Sequence, residues 1–351
     1  MVHIDGSQGE GGGQVLRTAL ALSVVTGRPL RVENIRAGRK KPGLMAQHLK
    51  AVEAAAMISG AVVEGAAPGA RTLFFKPRGL FPGNYRFDIG TAGSTSLVFQ
   101  TILVPLSFAE APSNVMITGG THVSWSPSFH FLQRHFRPFL KSIGFNFDLV
   151  LAGAGYYPQG GGCVKATIHP ARNIAPLELV GRGKLLRISG LSCATNLPGH
   201  IIQRQASRVR NRLAAAGYEA VDMEESPIAG KGKGTFVHLL AEFEHSQCCC
   251  DALGARGKPA ERVADEAVEQ LLAFLESDGA IDEHLADQLI LPLSFAPGIS
   301  RLRTSRITPH LQTNAEVVGR FLPVEVHIKG DLGDAGEMKI KREEFNSQVS
   351  V

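Results

Sequence analysis

The string Val104-Pro105-Leu106-Ser107-Phe108-Ala109 returns as Leu291-Pro292-Leu293-Ser294-Phe295-Ala296, an offset of 291 − 104 = 187 residues. Two apolar helices that carry proline at the same place, followed by the same Leu-Ser-Phe-Ala, are copies of one unit. A chain built from such copies packs them against each other and shares a core between them. Behind each copy comes a strand-like stretch and then a histidine, His122 and His310, 188 residues apart. A fainter copy opens the chain, where Ala21-Leu22-Ser23 lies in a helix and a strand leads to Arg36-Ala37-Gly38. The expected class is therefore α/β, with three copies of one unit: glycine-rich or polar loop, helix, strand, polar loop, second helix.

In the first copy a short strand runs into Gly9, Gly11, Gly12 and Gly13, and then into a helix with Val15, Ala19 and Leu22 on one face. Glycine amides at a helix start can hold an anion. No Gly-Lys-Ser/Thr ends the loop and GxGxxG is absent, so an anion site and a tight turn both remain open. Gln14 and Arg17 are three apart and share one side of that helix. A strand (30–35) then leads to Arg36, Arg39, Lys40 and Lys41, where guanidinium forks suit phosphate oxygens. A solvated basic loop is the alternative. Gln47 and His48 open the next helix (44–58). In the second copy a small-residue loop, Gly90 to Ser96, opens an apolar helix. A strand (114–118) and a helix (129–143) with Phe131, Phe139 and Leu140 as core follow.

From about 181 to 277 the composition shifts. Strand-like stretches, an arginine-bearing helix (Arg204, Arg208, Arg210, Arg212) and a Gly-Lys-Gly-Lys-Gly loop predict an inserted α/β domain of ordinary size. The arginine helix is read either as a nucleic-acid contact or as a solvated face. The third copy then resumes with Asp287 and Gln288 early in a helix. Its second loop holds His310, with Asn314 as the expected cap of the following helix and Pro323 as its stop. A histidine at a strand-to-helix junction suits nucleophilic or proton-transfer chemistry, and Asp287 faces it if the copies converge.

The net charge of +5 and pI near 9.0 favour an anionic partner without establishing one. No apolar run reaches the ~18 residues of a membrane span, and no secretion leader is visible. The five cysteines, three of them adjacent at 248–250, suit neither a disulfide framework nor a CxxC zinc site. Reduced thiols on a partly buried strand of a cytoplasmic protein are expected.

Taken together, Gly9 to Arg17, Ile35 to Arg39, Pro42-Gly43-Leu44, Gln47-His48-Leu49, Gly90 to Ser94, Tyr157 to Gly162, His284 to Gln288, and His310 with Thr313-Asn314 strongly resemble the RNA 3′-terminal phosphate cyclase family. The resemblance runs to about Val326. It implies a large catalytic domain (1–180 and 278–340) of three units, each two helices on a four-stranded sheet. It also implies a smaller inserted α/β domain (181–277), leaving 341–351 as a tail. It further implies conversion of an RNA 3′-phosphate to a 2′,3′-cyclic phosphate with ATP and a divalent metal, Mg²⁺ or Mn²⁺. The route runs through a histidyl-AMP and an RNA-adenylate.

By that resemblance His310 is the nucleophile. Gln100, His284, Leu285, Ala286, Asp287 and Gln288 fall at ATP-site positions. Glu10, Gln14, Arg17, Arg36, Arg39 and Gln47 surround the phosphates and the RNA end, with Glu10 a metal candidate. Adenylation gives a phosphate monoester a leaving group better than oxide. A non-catalytic ribosome-assembly scaffold of the same superfamily and an enolpyruvyl-type transferase are the competing readings. The scaffolds lack the histidine that this chain keeps.

Overall fold

The computed structural model describes residues 1–9 and 11–343. The first unit runs β1 (Val2–Asp5), α1 (Gly13–Thr26), β2 (Leu30–Glu33), α2 (Ala46–Ser59), β3 (Val62–Glu64) and β4 (Leu73–Lys76). Its sheet order is β1-β2-β4-β3. The second runs β5 (Asn84–Asp88), α3 (Thr95–Ser107), β6 (Ser113–Gly119), a π-helical segment (Phe131–Phe136) continuing into α4 (Arg137–Ser142), β7 (Asn146–Gly153) and β8 (Gly162–His169), in the order β5-β6-β8-β7.

The third unit opens with β9 (Glu178–Leu179) and is interrupted there. The insertion comprises β10 (Leu185–Thr195), α5 (His200–Ala215), β11 (Val221–Pro227), β12 (Gly234–Phe243), β13 (Gln247–Leu253) and α6 (Ala260–Glu276). The unit then resumes with α7 (Glu283–Leu293), β14 (Gly298–Thr304), α8 (Pro309–Phe321), β15 (Val324–Lys329) and β16 (Gly336–Arg342), in the order β9-β14-β16-β15.

All three units share one topology. The first two strands are parallel and the last two join antiparallel. Parallel neighbours need a crossover, which a helix supplies. Each unit therefore starts its helices at the carboxyl ends of its two parallel strands. This placement gathers helix N-termini at one end of every sheet.

One apolar core runs through all three units, and a second fills the insertion beneath α5 and α6. Helices α1 and α3 are buried on nearly every side, as expected of helices central to a core. The repeated string has a local reason. Pro105 and Pro292 each remove a backbone donor near the helix end. Ser107 and Ser294 each turn the hydroxyl back onto the carbonyl four residues earlier, Leu103 and Ile290. The two repeated phenylalanines then meet, with Phe108 and Phe295 ring centroids 4.7 Å apart.

Three local expectations change. The helix after β14 is capped by Thr308, whose Oγ1 accepts from the Leu311 amide at 3.1 Å, and not by Asn314, which lies mid-helix and buried. Lys341 and Arg342 close β16 and are not tail; residues 344–351 lie outside the described set. The arginines of α5 form a partly solvated face, as one of the two readings had it, but each is paired with a carboxylate and none is an open basic contact. Arg204 forks onto Glu261, Arg208 and Arg212 meet Asp265, and Arg210 meets Glu225. The basic loop before β12 is held by Asn196, whose Nδ2 donates to Gly230 and Gly232 carbonyls at 2.9 Å each.

The insertion is tied at its two crossings. Arg182 donates to the Phe274, Leu275 and Gly279 carbonyls while stacking over Phe243 and Phe274. All five cysteines are free; Cys248, Cys249 and Cys250 are buried on β13. Among the described residues no helix is long and apolar enough to cross a membrane.

Candidate active site

The first turns of α1 and α8 meet side by side. Gly9 has φ 58°, and its backbone passes so close to Thr313 that a Cβ there would overlap the Thr313 hydroxyl. This approach lays the glycine loop over the start of α8 and brings Gln14 to His310. The Gln14 Oε1 lies against Nδ1 of His310 in a very short contact. An amide oxygen can only accept, so the proton is assigned to Nδ1 and the ring lone pair to Nε2.

Beneath this pair lies a buried polar relay. Thr18 Oγ1 donates to Asn314 Oδ1 at 2.8 Å, and Asn314 Nδ2 donates to the Asp287 carbonyl at 2.9 Å. The relay pins α1, α7 and α8 to one another. Buried polar groups that are all satisfied fix geometry in this way. The sequence offered Asn314 as a cap and as part of the motif shared with the family, but not as a bridge between helices, and Thr18 carried no signal beyond lying one helical position from Arg17.

The electrostatics favour a neutral histidine. Burial lowers the His310 pKa, Asp287 raises it, and Arg17 and Arg39 lower it further. Asp287 is pushed up to about 6, first by burial, and is partly recovered by His310, His284, Gln14 and Arg17. Arg17 is lowered to about 10 by burial and stays charged at neutral pH. His48, absent from the expected set though it opens α2, lies here as well. Its Nε2 and Arg17 Nη1 stand 2.4 and 3.0 Å from where a Cβ at Gly13 would be. Burial and the charges of Arg17 and Arg36 lower its pKa to about 3, so it is neutral. Its Nδ1 accepts from the Met45 amide, which assigns the proton to Nε2.

The remaining positions divide. Gln100 on α3 donates to Gln288 on α7 at 2.5 Å, so residues 188 apart in the sequence meet. Gln47 Oε1 accepts from the Ser94 amide at 3.4 Å and links α2 to the second unit. His284 is exposed at the start of α7. Leu285 and Ala286 are fully buried in the core, so their side chains fix α7 and do not line the site. Arg36, at φ 54°, uses Nη1 to hold the Lys41 and Gly43 carbonyls at 2.8 Å each. It therefore braces its own loop. Arg39 is exposed on that loop and acts on His310 through its charge. Glu10 lies outside the described residues.

A family model for RNA 3′-terminal phosphate cyclase matches residues 8–328, which spans the glycine loop, the insertion and His310. The chain belongs to the RNA 3′-terminal phosphate cyclase family. Relatives bearing that name are similar along almost the full length. One from Pyrobaculum neutrophilum is 45% identical, covering 93% of this chain and 95% of its own. One from Ralstonia nicotianae is 44% identical over 97% and 96%. One from Archaeoglobus fulgidus is 44% identical over 94% and 98%. Membership places the chain among enzymes, and the insertion, Gln14 and Asp287 all fall inside the matched span of the cyclase family.

Proposed function

We propose that the chain converts an RNA 3′-terminal phosphate to a 2′,3′-cyclic phosphate at the expense of ATP, through His310. The observation that carries the reading is a neutral histidine held by Gln14 where the first turns of α1 and α8 meet. Helix N-termini carry partial positive charge and unpaired amides, which favour a phosphate group. An imidazole presented there attacks phosphorus and not carbonyl carbon by preference of its surroundings.

The steps balance as follows. His310 Nε2 attacks the α-phosphorus of ATP; the P–O bond to the β-phosphate breaks and pyrophosphate leaves. The ring, still protonated on Nδ1, becomes a cationic N-phosphoryl imidazole. Gln14 accepts from that proton, and the Asp287 charge behind it offsets the cation. An oxygen of the RNA 3′-phosphate then attacks the same phosphorus, and His310 leaves with its lone pair. The 2′-hydroxyl finally attacks the RNA phosphorus, releasing its proton to water, and the P–O bond to AMP breaks so that AMP leaves. Arg17 and Arg39 supply fixed positive charge where negative charge accumulates on phosphoryl oxygens.

A divalent ion fits this surrounding. Asp287 is a buried carboxylate whose proton affinity is already raised by burial, so a nearby cation lowers its cost of ionisation. Mg²⁺ commonly takes one or two carboxylates together with nucleotide phosphates. Asp287, with the amide oxygens of Gln288 or Gln14, would hold it, and its charge would neutralise the triphosphate.

The test is a phosphatase-protection assay with RNA labelled in its 3′-phosphate. ATP-dependent resistance of the label, with one AMP formed per end closed, is expected. Label that stays phosphatase-sensitive with saturating ATP and Mg²⁺ would overturn the reading.

A further inference from the structure

The chain has one tryptophan, and its side chain is 99% exposed. Trp125 sits at φ 63°, a region that bulky residues seldom occupy, in a turn closed by Ser126 Oγ on the Val123 carbonyl. Nearby Tyr157 is 80% exposed. Large aromatic rings left in water are informative, because burying them is the default. Their positions follow from the topology. His122 and Tyr156 pair as a parallel bridge, so the two rings emerge from adjacent segments at the carboxyl ends of β5 and β6. Trp125 lies three positions after His122 and Tyr157 one position after Tyr156, so the two α-carbons are at most about 20 Å apart. In the first and third units that same end carries the glycine loop and His310.

Contacts lead from one place to the other without a break. His48 and Gln47 are neighbours on α2, and Gln47 binds the Ser94 amide. A Cβ at Gly160 would stand 2.7 Å from the Thr91 carbonyl, so the 157–161 turn lies on the same loop. The Lys231 side chain crosses Gly161, within 3.3 Å of where a Cβ would stand. Lys231 and Lys233 are exposed, and Asn196 holds their loop in place. Exposed rings beside a basic loop are what single-stranded nucleic acid requires. Bases stack on the rings, and cations follow the backbone.

We infer that the nucleotides preceding the RNA 3′ end run over the second unit, with bases on Trp125 and Tyr157 and phosphates by Lys231 and Lys233. The inference rests on the proposed RNA substrate and adds its path. It also gives the insertion a part in the reaction, since Lys231 and Lys233 belong to it.

Because Trp125 is the sole tryptophan, its fluorescence reports on this surface directly. Wild-type protein without ATP is titrated with a single-stranded oligoribonucleotide of about ten nucleotides carrying a 3′-phosphate. Fluorescence is followed together with anisotropy of a dye on the RNA 5′ end. The expected result is saturable quenching that tracks the anisotropy. Tyr157→Ala should weaken both by about five- to a hundredfold, with Tyr157→Phe restoring most of the loss. Lys231→Ala/Lys233→Ala should flatten the slope of log K against log salt by roughly one to one and a half. Melting curves matching wild type establish that each variant is folded. RNA binding with unchanged tryptophan emission, or quenching indifferent to Tyr157 and the lysines, would overturn the path. Absence of RNA binding in protein that still forms a histidyl-AMP from ATP would overturn the path and leave the adenylation step standing. Absence of histidyl-AMP in protein that shows the quenching would do the reverse.

Discussion

Gln14 is the residue on which His310 depends most directly. Its oxygen fixes which ring nitrogen carries the proton, and hence, in the proposed route, which one attacks phosphorus. Gln14→Ala removes that constraint and leaves the histidine in place. Adenylation should slow by roughly a hundredfold, the scale set by small misplacements of a reacting group. Rapid-quench measurement of AMP transfer from ATP checks this. Asp287→Asn keeps the shape and removes the charge that offsets the ring cation. It should slow the same step by a similar or larger factor. At this scale the sequence was partly legible. His310, Asp287 and Arg17 could be singled out by type and position. The partner of His310 could not, because a glutamine 296 residues away carries no sign of its contact. His48 was visible at the start of α2, but nothing in the chain announced that Gly13 would let it reach Arg17.

Among the elements, α8 has two anchors with separate energetic signatures. Thr308 caps its start, and Thr308→Ala should cost about 1 kcal/mol of stability. Asn314→Ala strands the Thr18 hydroxyl and removes a bond from the Asp287 carbonyl. Its cost should be larger, about 1–3 kcal/mol for each buried group left unpaired. Denaturant midpoints of the two variants give the comparison, and a smaller loss for Asn314→Ala would contradict the relay. The repeated string was legible as a repeat because proline and serine serve a helix end in the same way twice. The fourfold strands were less so. β7 alternates inward Phe147 and Leu149 with outward residues, a period-two signal weaker than that of the helix before it. The two-residue β9 is too short to carry any pattern and exists only because β14 pairs with it.

At the scale of the whole molecule, the insertion and the second unit share a buried histidine cluster. His122 packs between Tyr156 and Phe236, and His130 stacks on Phe236. Burial lowers the His122 pKa to about 4 and the His130 pKa further, while His48 in the active site is lowered to about 3. Such groups bind protons in the unfolded chain near pH 6.5 but stay neutral when folded. Their stabilisation is whole above pH 6.5 and is lost as pH falls from there toward 4 and below. Asp287, raised to about 6, works the other way between pH 6 and 3.8. Three histidines outweigh one carboxylate, so the melting temperature should fall between pH 7 and pH 5, and a rise would contradict the account. The repeat marked His122 in the sequence but not the cluster, since its members come from the loop after β6, the segment before the π-helical turn, and β12.

The central claim is that His310 carries AMP. Purified protein is incubated with ATP labelled at the α-phosphate and Mg²⁺, denatured and run on a gel, alongside His310→Ala. The account predicts protein-bound label that resists alkali, is lost in acid, is absent from His310→Ala and is discharged by RNA with a 3′-phosphate. No label on wild-type protein at saturating ATP and Mg²⁺, or equal label on His310→Ala, would contradict it.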